Sequence, residues 1–152
     1  MRKLLLILFA LLLASCLAGC QKSSKPDAAP AAIQTISMTE YLASVKAQSD
    51  VIKASLEQDA LTQADMNQKS KELCDLWDAA LSLLMDEAAK VLSSDEMTKL
   101  TEEQTAWLKT RTEAMEVAGK EFEGGSMYAL VVNSEAANLT QARVYEIYER
   151  LK

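Results

Sequence analysis

The sequence contains no histidine among its 152 residues. This absence excludes Ser–His and Cys–His nucleophile pairs and the common zinc motifs, and it removes the usual general base near neutral pH. No phosphate loop or GxGxxG fingerprint occurs either. Carboxylates are plentiful, so residue type alone leaves a paired-acid glycosidase open. The acids nevertheless lie in ordinary polar runs and nothing singles out two of them, so we predict no enzymatic activity, no cofactor and no metal site.

Proline is absent beyond residue 32 and glycine is scarce there. Pro26 and Pro30 are the only prolines, and the later glycines are Gly119, Gly124 and Gly125. Such a composition permits long helices and offers few of the turn residues that separate strands. We therefore expect helices to dominate this part of the chain.

Cysteine is also scarce, since Cys74 is the only one beyond residue 32. No intramolecular disulfide can form there, and the fold must be held by packing alone. A single cysteine inside a helical pattern is typical of a small buried apolar residue, which is what we expect of Cys74.

The first residues have the organisation of an export signal. Two basic residues precede an apolar run over residues 4–13, which is too short to span a bilayer and has the length of a signal-peptide core. The sequence LAGC, ending at Cys20, is similar to the lipobox of bacterial lipoproteins. LASC, ending at Cys16, fits the same loose pattern, but glycine directly before the cysteine favours Cys20. We predict a signal peptide at residues 1–19 and a lipid-modified Cys20 that anchors the protein to the membrane.

A polar stretch, residues 20–32, contains both prolines and no apolar periodicity, which is typical of a flexible tether. It separates the predicted anchor from a single domain at residues 33–152. Gln21 follows the cysteine where an inner-membrane lipoprotein usually has Asp. A cell-envelope location is therefore predicted, with the outer membrane, facing the periplasm, favoured in a cell that has one.

Removal of residues 1–19 would leave 14 basic and 22 acidic residues, a formal charge of −8. A charge of this sign argues against nucleic acid as a partner and favours basic proteins through long-range attraction. Solubility alone is an equally good explanation of the charge.

Four helical segments can be identified in the domain. Capping-box spacing begins the first at Ser37 and the third at Ser93. The second runs from about Thr62 to Leu92, and its apolar stripe comprises Leu73, Trp77, Ala80, Leu84, Ala88 and Val91.

The third segment is expected to reach about Phe122 and to end at Gly124-Gly125, because glycine permits a left-handed residue after a helix. Ser126 is expected to cap the fourth, which spans residues 127–151. No segment shows the alternation of a half-buried strand. We predict an all-α fold, an antiparallel bundle of about four helices without disulfides.

One group of polar residues stands out on the third segment. Gln104, Trp107 and Arg111 are spaced i, i+3 and i+7 and therefore share a helix face. Arg111 needs a partner on an apolar stripe, and Asp78 beside Trp77 is a suitable carboxylate. Two interpretations remain open: a buried clamp between two helices, or an exposed Trp–Arg patch that binds another protein.

Several short blocks together resemble the lysozyme inhibitor LprI-like domain family, over about residues 61–151. They comprise ADMN at 64–67, Trp77-Asp78, QxxWLxxxR from Gln104 through Trp107 to Arg111, Gly124-Gly125-Ser126, and LTxxR from Leu139 and Thr140 to Arg143. The resemblance implies a small secreted or lipid-anchored helical domain, and it makes these residues candidates for a structural or binding role.

The resemblance also implies disulfides, because family members commonly carry cysteines near these blocks. The corresponding positions here hold Lys69, Met115 and Glu135, which leaves the domain without those disulfides.

Two binding functions follow. The resemblance implies an inhibitor that occludes the lysozyme cleft, with the bend near Ser93-Ser94 and residues 123–126 as candidate contact regions. The alternative is an envelope adaptor without lysozyme activity, whose binding surface would include Tyr128, Tyr145 and Tyr148.

Overall fold

The computed structural model describes residues 36–58 and 60–152. The predicted signal peptide, Cys20 and the tether lie outside these residues. Four α-helices follow in order, with a short 3-10 turn at Lys120–Phe122: α1 (Met38–Leu56), α2 (Gln63–Val91), α3 (Ser94–Gly119) and α4 (Tyr128–Arg150). No strand occurs in the described part of the chain, so the all-α prediction is confirmed.

Capping boxes begin the first three helices. The side chains of Ser37, Thr62 and Ser93 each accept a hydrogen bond from the backbone three residues later, and the acidic side chain there bonds back to the cap backbone. Hydrogen bonds with the cap residue hold the pKa of each of these three carboxyl groups below its usual range. Two of the caps, Ser37 and Ser93, were expected from sequence spacing alone.

Consecutive helices run antiparallel, so α2 and α4 run in the same direction. These two make the most extensive helix pairing, while α1 packs mainly on α2 and α3 mainly on α4. The start of α1 and the end of α4 meet where the hydroxyls of Thr39 and Tyr148 form a hydrogen bond. The opposite end holds the start of α2 and the α3–α4 connection, joined by Asn67 and Ser126.

The core is centred on Trp77 of α2, which is fully buried. Its indole Nε1 donates to Oγ of Ser49 on α1 at 3.1 Å, and its ring lies 5.9 Å from that of Tyr145 on α4. Ser49 occupies a gap in the apolar stripe of α1. It is fully buried, and its hydroxyl is the partner of the buried indole N–H.

Two details differ from the sequence-based expectation. Val91 was placed on the buried stripe of α2, but it is 65% exposed, at the edge of an open cleft that Met38 and Tyr148 also line. The α-helical part of α3 ends at Gly119 rather than near Phe122. A Cβ atom at Gly119 would lie 2.7 Å from side-chain atoms of Tyr128 and Val132, so glycine is needed for this close approach of α4.

Candidate functional site

A polar cluster joins α2, α3 and α4. The Asp78 carboxylate accepts hydrogen bonds from Nη2 of Arg111 on α3, at 2.9 and 3.1 Å, and from Oγ1 of Thr140 on α4, at 3.1 Å. One carboxylate therefore links three helices. The pairing of Asp78 with Arg111 is the one that the sequence predicted, whereas nothing in the sequence indicated that Thr140 would join it.

The burial of this cluster decides between the two interpretations of Arg111. Its side chain is only 15% exposed, and its Cζ lies 5.8 Å from the ring centre of half-buried Trp107. The Asp78 side chain is 44% exposed, so one edge of the ion pair meets solvent. Arg111 faces the space between helices, and the geometry is therefore that of an interhelical clamp.

Cys74 also belongs to this cluster. Its Sγ lies 3.5 Å from Nη2 of Arg111 and 3.6 Å from Oδ2 of Asp78, one helical turn away on α2. Burial raises the pKa of the Cys74 thiol, and the nearby Asp78 charge adds to the effect. Cys74 is half-buried and packs against the core, which agrees with the expectation, but its thiol also touches a charged pair, which was not expected. The i, i+4 spacing of Cys74 and Asp78 was the available signal.

Arg143 makes a second link, between α4 and α3. Its side chain is 5% exposed, and its Nε donates to Oε1 of Gln104 at 3.0 Å. Its Nη1 lies 2.9 Å from a carboxylate oxygen of Glu146, and its Nη2, buried without a hydrogen-bond partner, lies 3.7 Å from Glu103. The structure therefore brings together Gln104 and Arg143, which belong to separate sequence blocks. Leu139, from the same LTxxR block as Arg143, is partly buried on α4.

A cleft of about 250 Å³ lies between the start of α3 and the last turns of α4, and its lining includes Glu96 and Glu103. A hydrogen bond from Arg150 is the main cause that lowers the pKa of Glu103, and hydrogen bonds with Ser93 lower that of Glu96. The general acid of a glycosidase needs a raised pKa. The two carboxyl groups of this cleft are shifted the opposite way, so the cleft does not support that reaction. The pairing of Glu103 with Arg150 had no signal in the sequence.

The turn before α4 contains the GlyGlySer block. Gly124 adopts a φ of 74°, as a left-handed residue should, and the Gly125 N–H donates to the Phe122 carbonyl at 2.9 Å. Ser126 does not cap α4: the cap position is Met127, which makes no side-chain cap bond. The Ser126 carbonyl instead accepts a hydrogen bond from Nδ2 of Asn67 at 2.9 Å, so a side chain from α2 fixes the turn.

The candidate residues thus fall into two groups. Those around Asp78 and Arg143 connect helices, whereas Gly124, Gly125 and Ser126 are exposed at one end of the bundle. Within residues 36–58 and 60–152, no three His, Cys, Asp or Glu side chains are placed to hold a metal ion. Among the helices of these ranges, none has the length and apolar character needed to span a bilayer.

Comparison with known proteins identifies a family. A family model described as "Lysozyme inhibitor LprI" matches residues 54–147, a range that contains both polar links and the glycine turn. No curated protein and no solved structure shows a significant match. Because the matched range is well over half of the chain, the protein belongs to the lysozyme inhibitor LprI family.

Proposed function

We propose that this protein binds a lysozyme and inhibits it by covering the substrate cleft, with no chemical step of its own. Membership of the lysozyme inhibitor LprI family is the observation that carries the proposal. The links through Asp78 and Arg143 support it, because they hold three helices in fixed positions. A rigid surface loses less conformational entropy on binding than a mobile one.

The charge of the chain also supports a basic partner. Acidic side chains outnumber basic ones by 22 to 16 in the full sequence. Lysozymes are usually strongly basic, so complementary potentials would raise the rate of encounter. This contribution should weaken as salt screens it.

An envelope location is the second part of the proposal. We propose that residues 1–19 direct export and that Cys20 carries the lipid, which would place the domain where lysozyme reaches the cell. The basis is the lipobox-like LAGC sequence and the polar stretch that follows it.

We predict that Cys20→Ser abolishes lipid attachment and leaves the precursor uncleaved, because the modified thiol is lost. Metabolic labelling with palmitate and intact mass measurement of the membrane fraction would show this. Cys16→Ser is the matched control and should be labelled and processed normally. Loss of label from Cys16→Ser alone would move the anchor to Cys16, and an unlabelled wild-type chain would rule out a lipoprotein.

For the inhibitory activity, the detergent-solubilised mature chain should slow cell-wall lysis by at least one class of lysozyme at micromolar concentration. We expect the association rate to fall by about tenfold as salt rises from ~0.05 M to ~0.5 M, because exposed charges are screened over a shorter distance. A lysis assay and surface plasmon resonance would measure the two effects. Absence of inhibition across chicken-, goose- and invertebrate-type lysozymes would overturn the proposal.

The late tyrosines give little support to the alternative function, an envelope adaptor that would bind its partner through them. Tyr145 is half-buried and packs on Trp77, and the Tyr148 hydroxyl is bonded to Thr39. Of the three late tyrosines, Tyr128 is 39% exposed and the other two are half-buried.

A further inference from the structure

The α3–α4 connection combines exposed apolar groups with acidic ones. We call residues 120–128 the tip. Met127 and Tyr128 are adjacent in sequence and are 43% and 39% exposed, although both are large apolar side chains. Glu121 and Glu123 are exposed a few positions earlier in the same segment, next to the exposed Lys120, so acidic side chains outnumber basic ones there. An aromatic and a methionine flanked by charge are the composition of a protein-binding centre with a polar rim.

The conformation of the tip is fixed by contacts with the rest of the bundle. Asn67 on α2 holds the Ser126 carbonyl, and the Tyr128 N–H donates to the Gly125 carbonyl at 3.3 Å. The Tyr128 ring lies against the bare Cα of Gly119, where even a Cβ atom would be too close. These contacts fix the backbone of the tip before any partner arrives, which lowers the entropic cost of binding.

The position of the tip leaves it clear of the N-terminal end of the domain. It lies at the end of the bundle opposite the start of α1, and α1 alone, with 19 residues, separates the two ends by about 28 Å. The proposed anchor at Cys20 precedes α1 in the chain. The tip is therefore remote from the point at which the chain enters α1.

Exposed apolar side chains also occur at the opposite end of the bundle, where α1 starts. Ile36 and Leu83 line a shallow cleft beside the start of α1, with Glu87 at its edge. This is the end of the bundle at which the chain enters α1.

We propose that the tip is the surface that contacts lysozyme: Met127 and Tyr128 enter the cleft, and Glu121 and Glu123 pair with the basic residues around it. This inference rests on the proposed function and names the face that performs it. Charge complementarity between the acidic rim and a basic enzyme selects this occupant.

The test compares two pairs of matched variants of the mature chain. Glu121→Gln/Glu123→Gln should lower the association rate with an inhibited lysozyme by about three- to tenfold, and Met127→Ala should raise the dissociation rate by about tenfold. The charge control is Asp86→Asn/Glu102→Gln, which removes two charges near the α2–α3 turn. None of these four carboxylates makes a salt bridge within the described residues. The apolar control is Val91→Ala, at the end opposite the tip.

Surface plasmon resonance gives both rate constants, and thermal unfolding followed by circular dichroism checks that each variant is folded. Both controls should bind within about twofold of wild type, because single exposed contacts away from a binding centre contribute little. If wild type binds but the tip variants bind equally well, the placement of the binding surface is overturned and the proposed function is not. The same holds if Val91→Ala weakens binding more than Met127→Ala does. A wild-type chain that binds no lysozyme overturns the proposed function and the placement with it.

Discussion

Replacement of Trp77 by alanine is expected to lower the free energy of unfolding by about 3–5 kcal/mol, the usual cost of truncating a buried aromatic. Trp77 is fully buried and contacts two other helices, through Ser49 on α1 and Tyr145 on α4. The smaller side chain would leave a cavity at this junction and would remove the partner of the Ser49 hydroxyl. Urea unfolding followed by far-UV circular dichroism measures the loss.

Trp107→Ala is the control, since these are the only two tryptophans of the chain. Trp107 is half-buried on α3, a helix whose buried residues are only Leu100 and Gly119. The loss of stability should therefore be clearly smaller than for Trp77. Equal losses would mean that α3 contributes as much to the core as α2 does, against the burial pattern.

Helix starts could be predicted because their signals are local. A capping box lies within four residues, so Ser37 and Ser93 identified the beginnings of α1 and α3 without knowledge of the rest of the fold. The stripe along α2 was likewise visible in its spacing, and the expected burial failed only at Val91, in the last turn of the helix.

Helix ends depended on contacts that the sequence does not display. Gly119 is the last α-helical residue of α3, at the point where Tyr128 and Val132 of α4 approach it, and the chain then turns through a 3-10 segment. The expected cap at Ser126 was wrong: Met127 holds the cap position of α4, and the Ser126 carbonyl is instead bonded to Asn67 from α2. Both contacts join residues that are distant in sequence or lie on different helices.

The two polar links also differ in whether the sequence alone could predict them. Asp78 and Arg111 could be paired from sequence because each lies beside a tryptophan on an apolar stripe, and a buried cation requires an anion. Gln104 and Arg143 are 39 positions apart, and their pairing depends on how α3 and α4 are aligned. Spacing along one helix indicates which residues share a face, but it does not fix that alignment.

The Asp78–Arg111 clamp should give the second large effect. We expect Asp78→Ala to lower the free energy of unfolding by about 2–3 kcal/mol, because it leaves the mostly buried Arg111 cation without a counter-ion. This is less than for a fully buried pair, since the Asp78 side chain is 44% exposed and water screens the charge. Thr140 keeps the Ala136 carbonyl as an acceptor and adds little to the loss.

A double-mutant cycle with Arg111→Ala isolates the pair, and urea unfolding of the four proteins should give a coupling free energy of about 1–2 kcal/mol. The exposed pair of Lys46 and Asp50 on α1 is the matched control and should give about 0.3–0.5 kcal/mol. Coupling no larger than in this control would contradict the clamp. Because the clamp acts inside the bundle and touches no partner, Arg111→Ala that is still folded should continue to inhibit lysozyme, with only a small loss from the lower rigidity of the helices. If inhibition were lost while the fold was retained, Arg111 would belong to the binding surface instead.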